Sequence, residues 1–305
     1  MIVPAALRTI TGRDPSWTAW LDGLVRLVDD VMSDWGLTPD GHAMHGRCAL
    51  VVPVRTADGA TAALKLAWPH DEAEHEPLAL RHWHGDGAVL LLRADPHRGA
   101  LLLERARTTD LGSVDDLDAC EIVGALLRRV HRPAPPQLAL LSRAAVGWAA
   151  RLTALPRSAP VPRRLVEQAA GLCRELGTDP ETDGVLVHTD AHYANVLAAD
   201  REPWLLIDPK PLSGDPHLEP APLLWNRWDE VVSTGDVRWA VRRRLAAVTG
   251  SLGLDADRAR DWVIVRETVN ALWAVEAATA ADRALTVNDR EWITRAVTIA
   301  KAVQD

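Results

Sequence analysis

The sequence predicts an α+β protein of two lobes, a β-rich amino-terminal lobe over residues 1–106 and a mainly helical carboxy-terminal lobe over residues 107–305. Three observations carry this expectation. Four short apolar runs of strand character lie between Cys48 and Ala106, and from Thr108 onward the pattern turns to helical periodicity. With 305 residues the chain also exceeds what one core of ordinary size fills, which favours two domains.

The first element is a helix over SWTAWLDGLVRLVDDVMSDWG. Trp17, Trp20, Leu21, Leu24, Val28, Val31, Met32 and Trp35 recur at helical spacing, and Gly36 supplies the stop. CALVVPVRT and TAALKLAW follow as strands joined at Ala57-Asp58-Gly59, where the Asp-Gly step is a hairpin signal. DEAEHEPLALRHWHG has helical character, interrupted by Pro77, which requires a late start or a kink. AVLLLRAD and GALLLERA are the next two strands, separated by Pro96 to Gly99.

Beyond the expected hinge near residues 104–112, LDACEIVGALLRRVH, RAAVGWAARLTAL and PRRLVEQAAGLCREL read as helices, split by the Pro-rich RPAPPQ. A short strand, GVLVH, leads into polar TDAHYAN. VLAA and WLLID are further strands, and helices resume after PKPLSGDPHLEPAP. The polar insert inside this helical half is where chemistry is expected, because rigid elements commonly present functional residues on such loops.

The net charge of −8 argues against nucleic acid, whose phosphates reward a basic stripe, and is compatible with a cationic ligand. No stretch approaches the ~20 consecutive apolar residues of a membrane helix. The opening MIVPAALRTITGRDP lacks the segments of a secretory signal, so a cytoplasmic protein is expected. Cys48, Cys120 and Cys173 are widely separated and read as buried free thiols. Thirteen tryptophans with one tyrosine and no phenylalanine indicate that tryptophan does most of the aromatic filling. Trp225, Trp228 and Trp273, in the helical region beyond the polar insert, keep a stacking role open as the alternative.

VLVHTDAHYANVLAADREPWLLIDPKP holds His188, Asp190 and Asn195, followed thirteen residues later by Asp208. A phosphoryl-transfer site needs one carboxylate to orient the attacking hydroxyl, with an oxygen ligand and a second carboxylate to hold magnesium against phosphates. Asp190, Asn195 and Asp208 supply that set. Lys65 stands inside an apolar strand, where a charge is rare unless its head reaches a cleft or a partner. Glu76 shares a helical face with Ala73, Leu80 and Trp83, and so can turn inward; Glu72 is its rival.

The segment resembles the catalytic and metal loops of the aminoglycoside phosphotransferase family, relatives of the protein kinases. HTDAHYAN followed by IDPKPLSGDPHLEPAP is similar, more narrowly, to the branch of streptomycin and hydroxyurea phosphotransferases. The resemblance implies a bilobal protein-kinase-like fold, ATP and Mg2+ as cofactors, and transfer to a hydroxyl of a small cationic antibiotic, most simply streptomycin. It implies that Asp190 is catalytic with His188 supporting the loop, and that Asn195 and Asp208 are metal ligands. Lys65 then binds phosphates and pairs with Glu76, while the main chain of Glu104, Arg105 and Ala106 meets the adenine edge.

Thr189 stands where many relatives have glycine and Ala191 where leucine is commoner. No Gly-rich phosphate cover is recognisable; Gly41 and Gly46 around HAMH imply a looser lid. Downstream of the metal loop, Glu219, Asp229, Glu230, Glu267 and Glu276 are the carboxylates expected to hold a cationic acceptor. A kinase of another small hydroxyl compound or of hydroxyurea, and a silent nucleotide- or drug-binding module, are the competing readings. The joint presence of Lys65, Asp190, Asn195 and Asp208 argues against silence.

Overall fold

The structure, a computed structural model, describes residues 4–8 and 15–304. Most of the opening segment read for a leader lies outside the described residues. The chain packs as two compact units, the first comprising Met1–Thr109 with Leu197–Lys210, the second Asp110–Val196 with Pro211–Asp305. The sequence reading divides the chain once, at 106. By packing the cut falls at Thr109, and residues 197–210, read as part of the helical lobe, join the first unit. No apolar periodicity signals that return, because it rests on main-chain pairing described below.

In the first unit, α1 (Ala5–Arg8) and α2 (Pro15–Trp35) precede strands β1 (Thr38–Pro39), β2 (Met44–His45), β3 (Ala49–Arg55) and β4 (Thr61–Ala67). Helices α3 (Asp71–Glu74) and α4 (Glu76–Trp83) separate these from β5 (Leu91–Asp95) and β6 (Ala100–Glu104). The antiparallel sheet runs β1-β3-β4-β6-β5, with β2 also on β3. The β3–β4 hairpin turns at Asp58-Gly59 as expected, with Gly59 at φ +87° and Thr56 N–H donating to the Ala60 carbonyl.

Alternation decides which side chains of β4 reach the core. Ala62, Leu64 and Leu66 are fully buried against Leu24, Val28 and Val31 of α2. Lys65, one step out of phase, therefore emerges on the opposite face of a central strand. The apolar stripe of α2 is as expected, with Trp17 and Trp35 buried and Trp20 packed at its edge. Pro77 is accommodated because α4 begins at Glu76, so the proline occupies its first turn, where no helical N–H is lost.

The second unit opens with α5 (Asp116–Val130), β7 (Arg132–Pro133), α6 (Leu141–Ala154), α7 (Arg163–Leu176) and β8 (Val185–Val187). Strands β9 (Val196–Ala198) and β10 (Trp204–Leu206) then carry the chain back to the first unit. There Leu206 exchanges hydrogen bonds with Gly87 and Val89, and Ala198 with Arg107 and Thr109. Strand β11 (Leu212–Gly214) returns to pair with β8, itself paired with β7, and α8 (Ala221–Leu224), α9 (Trp228–Ser233), α10 (Val237–Leu252), α11 (Ala256–Ala280) and α12 (Val287–Ala302) complete the chain. Trp262 of α11 is fully buried in a core drawn from α6, α7, α10, α11 and α12, and its indole N–H donates 2.7 Å to Asp215. No helix among the described residues is long and apolar enough to cross a membrane. Cys120 and Cys173 are buried thiols and Cys48 is half-buried; none forms a disulfide.

Candidate active site

In the first unit the strand phase of β4 and the short α4 bring Lys65 and Glu76 together. The Lys65 ammonium lies 2.6 Å from both Glu76 carboxylate oxygens and 2.6 Å from Asp208 Oδ1. Lys210 Nζ reaches the same Asp208 oxygen at 2.8 Å. Lys65 and Glu76 are 6% and 1% exposed, burial that isolated charges would not tolerate but a paired network does. The Glu72 side chain lies outside the described residues.

Burial opposes the charge on Lys65, yet Asp208 and Glu76 outweigh it and raise the ammonium's pKa. Burial likewise works against the Asp208 anion, and Lys65 with Lys210 overrides it, holding the carboxyl well below its usual range. In Glu76 burial prevails over Lys65 and raises the carboxyl. Asp208 follows β10 by two residues at φ +54°, a left-handed conformation uncommon outside glycine and of the kind that collects at functional positions. Lys210 is absent from the sequence-derived site, although it stands in the same IDPKP wording.

Glu104 ends β6, but its side chain is committed to structure: it accepts from Leu90 N–H at 3.0 Å and from Arg201 Nε at 3.0 Å. Arg105 is likewise engaged, 2.5 Å from Asp40. Ala106 has only main-chain groups to offer. The expectation for 104–106 concerned main-chain recognition; within that strip the Glu104 main-chain N–H already donates to the Leu90 carbonyl at 2.8 Å.

The second unit carries the polar loop. His188 is fully buried, and its Nδ1 accepts the Asp190 N–H at 3.3 Å. Thr189 adopts φ +62°, which puts a β-branched residue in the left-handed region that favours glycine. Asn195 closes a short 3-10 turn, Tyr193–Asn195, and its amide nitrogen donates 2.9 Å to the Asp190 carbonyl and 3.4 Å to the Asp190 carboxylate. His192 Nε2 stands 4.0 Å from that carboxylate.

What holds the strained turn is Glu219. Fully buried, it accepts from His188 N–H at 2.5 Å and from Thr189 N–H at 3.0 Å, with His131 Nε2 at 3.5 Å. Burial disfavours its charge, but His131, His188 and these donors more than compensate and lower its pKa. Glu219 was expected among the acceptor carboxylates; its oxygens are engaged with the loop backbone instead. A carboxylate thirty-one residues from His188 can look like any surface acid in the sequence, because the pairing is tertiary.

The other acidic candidates differ in the same way. Glu276 pairs with Arg151 (Nε at 2.9 Å) and Glu230 with Arg227 (Nε at 2.7 Å). Glu267 is 1% exposed; burial pushes its carboxyl up to about 8, and one oxygen lacks a hydrogen-bond partner. Asp229 is exposed at the start of α9. Of the tryptophans read as possible stackers, Trp273 sits edge-on to Trp148 at 6.2 Å under the Arg266 guanidinium, and Trp225 packs edge-on to Trp292 at 5.7 Å.

The donor chemistry fits magnesium. In the first unit Asp208 offers a carboxylate; in the second, taken by itself, Asn195 offers an amide oxygen, its nitrogen being already turned to Asp190. Among the described residues no three His, Cys, Asp or Glu side chains gather as a cage.

The family described as aminoglycoside/hydroxyurea antibiotic resistance kinase matches residues 34–278. The chain belongs to this family. Among relatives of this kinase, a streptomycin 6-kinase of Streptomyces glaucescens is 42% identical over 271 residues, covering 86% of the chain and 87% of the relative. A hydroxyurea phosphotransferase of Kitasatospora aureofaciens is 42% identical over 267 residues, 84% and 75% of the two chains. The fold of the kinase is the protein-kinase-like one: a solved structure of an amicoumacin kinase with AMP-PNP and Ca2+ superposes with a TM-score of 0.61 at 14% identity, over 91% of this chain and 92% of that one.

Proposed function

We propose that the chain is an ATP- and magnesium-dependent O-phosphotransferase that inactivates streptomycin. The observation that carries the reaction is the buried Lys65 bridging Glu76 and Asp208. A lysine so fixed presents a charge for α- and β-phosphate oxygens, and it leaves Asp208 ionised for a cation. The choice of acceptor is supported by relatives that phosphorylate streptomycin, at 42% and 43% identity. A second reading, hydroxyurea as acceptor, is favoured by the equally similar phosphotransferase.

In this mechanism Asp208 and Asn195 are the residues that would hold magnesium, which would supply charge neutralisation on the phosphates. The main chain of Glu104 to Ala106 takes the adenine edge. Asp190 orients the acceptor hydroxyl and receives its proton as the new oxygen–phosphorus bond forms and the bond to the β-phosphate oxygen breaks, releasing ADP. His188 and Glu219 keep the turn that carries Asp190. Among the acidic candidates, exposed Asp229 is the one we assign to a cationic group of the acceptor. Transfer of labelled γ-phosphate from ATP is the test, with streptomycin, other aminoglycosides, neutral sugars and hydroxyurea compared. Labelling of hydroxyurea or a sugar with streptomycin inert would overturn the acceptor and leave the phosphotransfer.

A further inference from the structure

We propose that Tyr193, Asp116, Arg244 and Asn226 form a closed hydrogen-bonded ring that positions the loop carrying Asp190 and Asn195, making Tyr193 and Arg244 positioning residues for phosphoryl transfer. The proposal rests on the phosphotransfer reading above. All four residues lie in the second unit, on four different segments.

The ring can be followed atom by atom. The Tyr193 hydroxyl donates to Asp116 Oδ1 at 2.9 Å, with the Asp116 carbonyl at 3.1 Å. The other Asp116 oxygen accepts from Arg244 Nε at 2.7 Å. Arg244 Nη1 donates to the Asn226 carbonyl, and the Asn226 side-chain oxygen accepts the Tyr193 main-chain N–H at 3.2 Å. Asn226 is itself fixed by its amide nitrogen, which donates 2.6 Å to the Pro222 carbonyl.

Two features separate this ring from ordinary packing. Arg244 is 1% exposed, and a buried guanidinium is tolerated only where its donors are met, so Asp116 and the Asn226 carbonyl are held as firmly as they hold it. Tyr193 is also the sole tyrosine of a chain that has thirteen tryptophans and no phenylalanine. Where this sequence needs aromatic bulk it uses tryptophan; the one phenol stands where its oxygen closes a ring. Tyr193 opens the 3-10 turn that ends at Asn195, so both its main-chain N–H and its hydroxyl fix the start of the turn from which the Asn195 amide reaches Asp190. Interactions that orient a metal ligand from behind are worth roughly 10–100-fold in affinity or activity when removed.

Tyr193→Phe deletes one oxygen and leaves the Asp116–Arg244 pair in place. We expect kcat to fall about tenfold or more and the Mg2+ concentration that half-saturates nucleotide-induced thermal stabilisation to rise about tenfold, with KM for the acceptor nearly unchanged. In the nucleotide-free protein, amide exchange over residues 188–196 should accelerate about tenfold, and Arg244→Lys should act in the same direction. A variant that melts earlier but keeps wild-type kcat, Mg2+ dependence and loop exchange would overturn the proposal. The exchange measurement needs no turnover: if the wild-type protein transfers no phosphate, the phosphotransfer reading fails while the ring is still judged by its effect on the loop.

Discussion

At the scale of single residues, the same side-chain type has been put to opposite uses by its surroundings. Asp190 and Asp208 lie eighteen positions apart in one segment, one beside an amide and an imidazole, the other against two ammonium groups. Replacing Asp190 with alanine should therefore reduce turnover by roughly 10²–10⁴ while leaving nucleotide affinity almost unaltered, as read by single-turnover kinetics and nucleotide titration. Lys65→Ala should instead raise the KM for ATP, because Glu76 and Asp208 would face the phosphates with no intervening cation. Glu267 is different again. Its folded pKa of about 8 stands above the ordinary 4.5, so between those values the folded state binds a proton that the unfolded state has released, and stability falls as pH rises. The isosteric Glu267→Gln variant should be more stable than wild type at pH 7.5, by at most about 4 kcal/mol, and the advantage should vanish near pH 4.5. Melting curves across pH check the sign. Residue types and spacing made Lys65, Asp190, Asn195 and Asp208 legible in the sequence. The roles of Glu219 and Arg244 were not, since each acquires its place from partners far along the chain, and Lys210, though only two residues from Asp208, carries no signal of its own in the IDPKP wording.

At the scale of elements, what could be read was periodicity, and what could not was strand pairing without apolar signal. The α2 stripe and the β3–β4 hairpin follow directly from spacing and an Asp-Gly step. The two-residue strands β1, β2 and β7 have no pattern to show, and β11 hides in the polar PLSG wording, recognisable only by its register against β8. The loop between β8 and β9 gives this level its own test. It contains a threonine in a left-handed conformation, restrained by a buried carboxylate that accepts two main-chain N–H groups. Glu219→Gln removes the charge from those bonds and should destabilise the fold by roughly 1.5–3 kcal/mol. Because the folded pKa of Glu219 is depressed, its contribution is complete above about pH 4.5 and is lost as pH falls through the folded value. The protection factors of the Thr189 and Asp190 amides, the intrinsic exchange rate at each pH over the observed one, should fall in acid for wild type and stay level over that range in the variant.

At the scale of the whole molecule, the charge of −8 favours encounter with a polycation, and raising salt should slow association of streptomycin more than that of a neutral acceptor. Stopped-flow binding at two ionic strengths distinguishes them. The connectivity of the first unit has a different bearing, on how the protein is made. Its sheet is finished by residue 104, yet the strip around Gly87 to Val89 gains its hydrogen bonds only from Leu206, and Lys65 meets Asp208 only when residue 208 exists. A fragment of residues 1–109 should accordingly be expelled into aggregates or held by chaperones, whereas the same fragment joined by a flexible linker to residues 197–210 should be protected from protease. On the ribosome the nascent first unit must wait about 5–20 s, the time to translate the roughly one hundred residues separating Thr109 from Lys210. For that interval its Lys65–Glu76 pair lacks the third member, and the second unit is being threaded out before the first is complete.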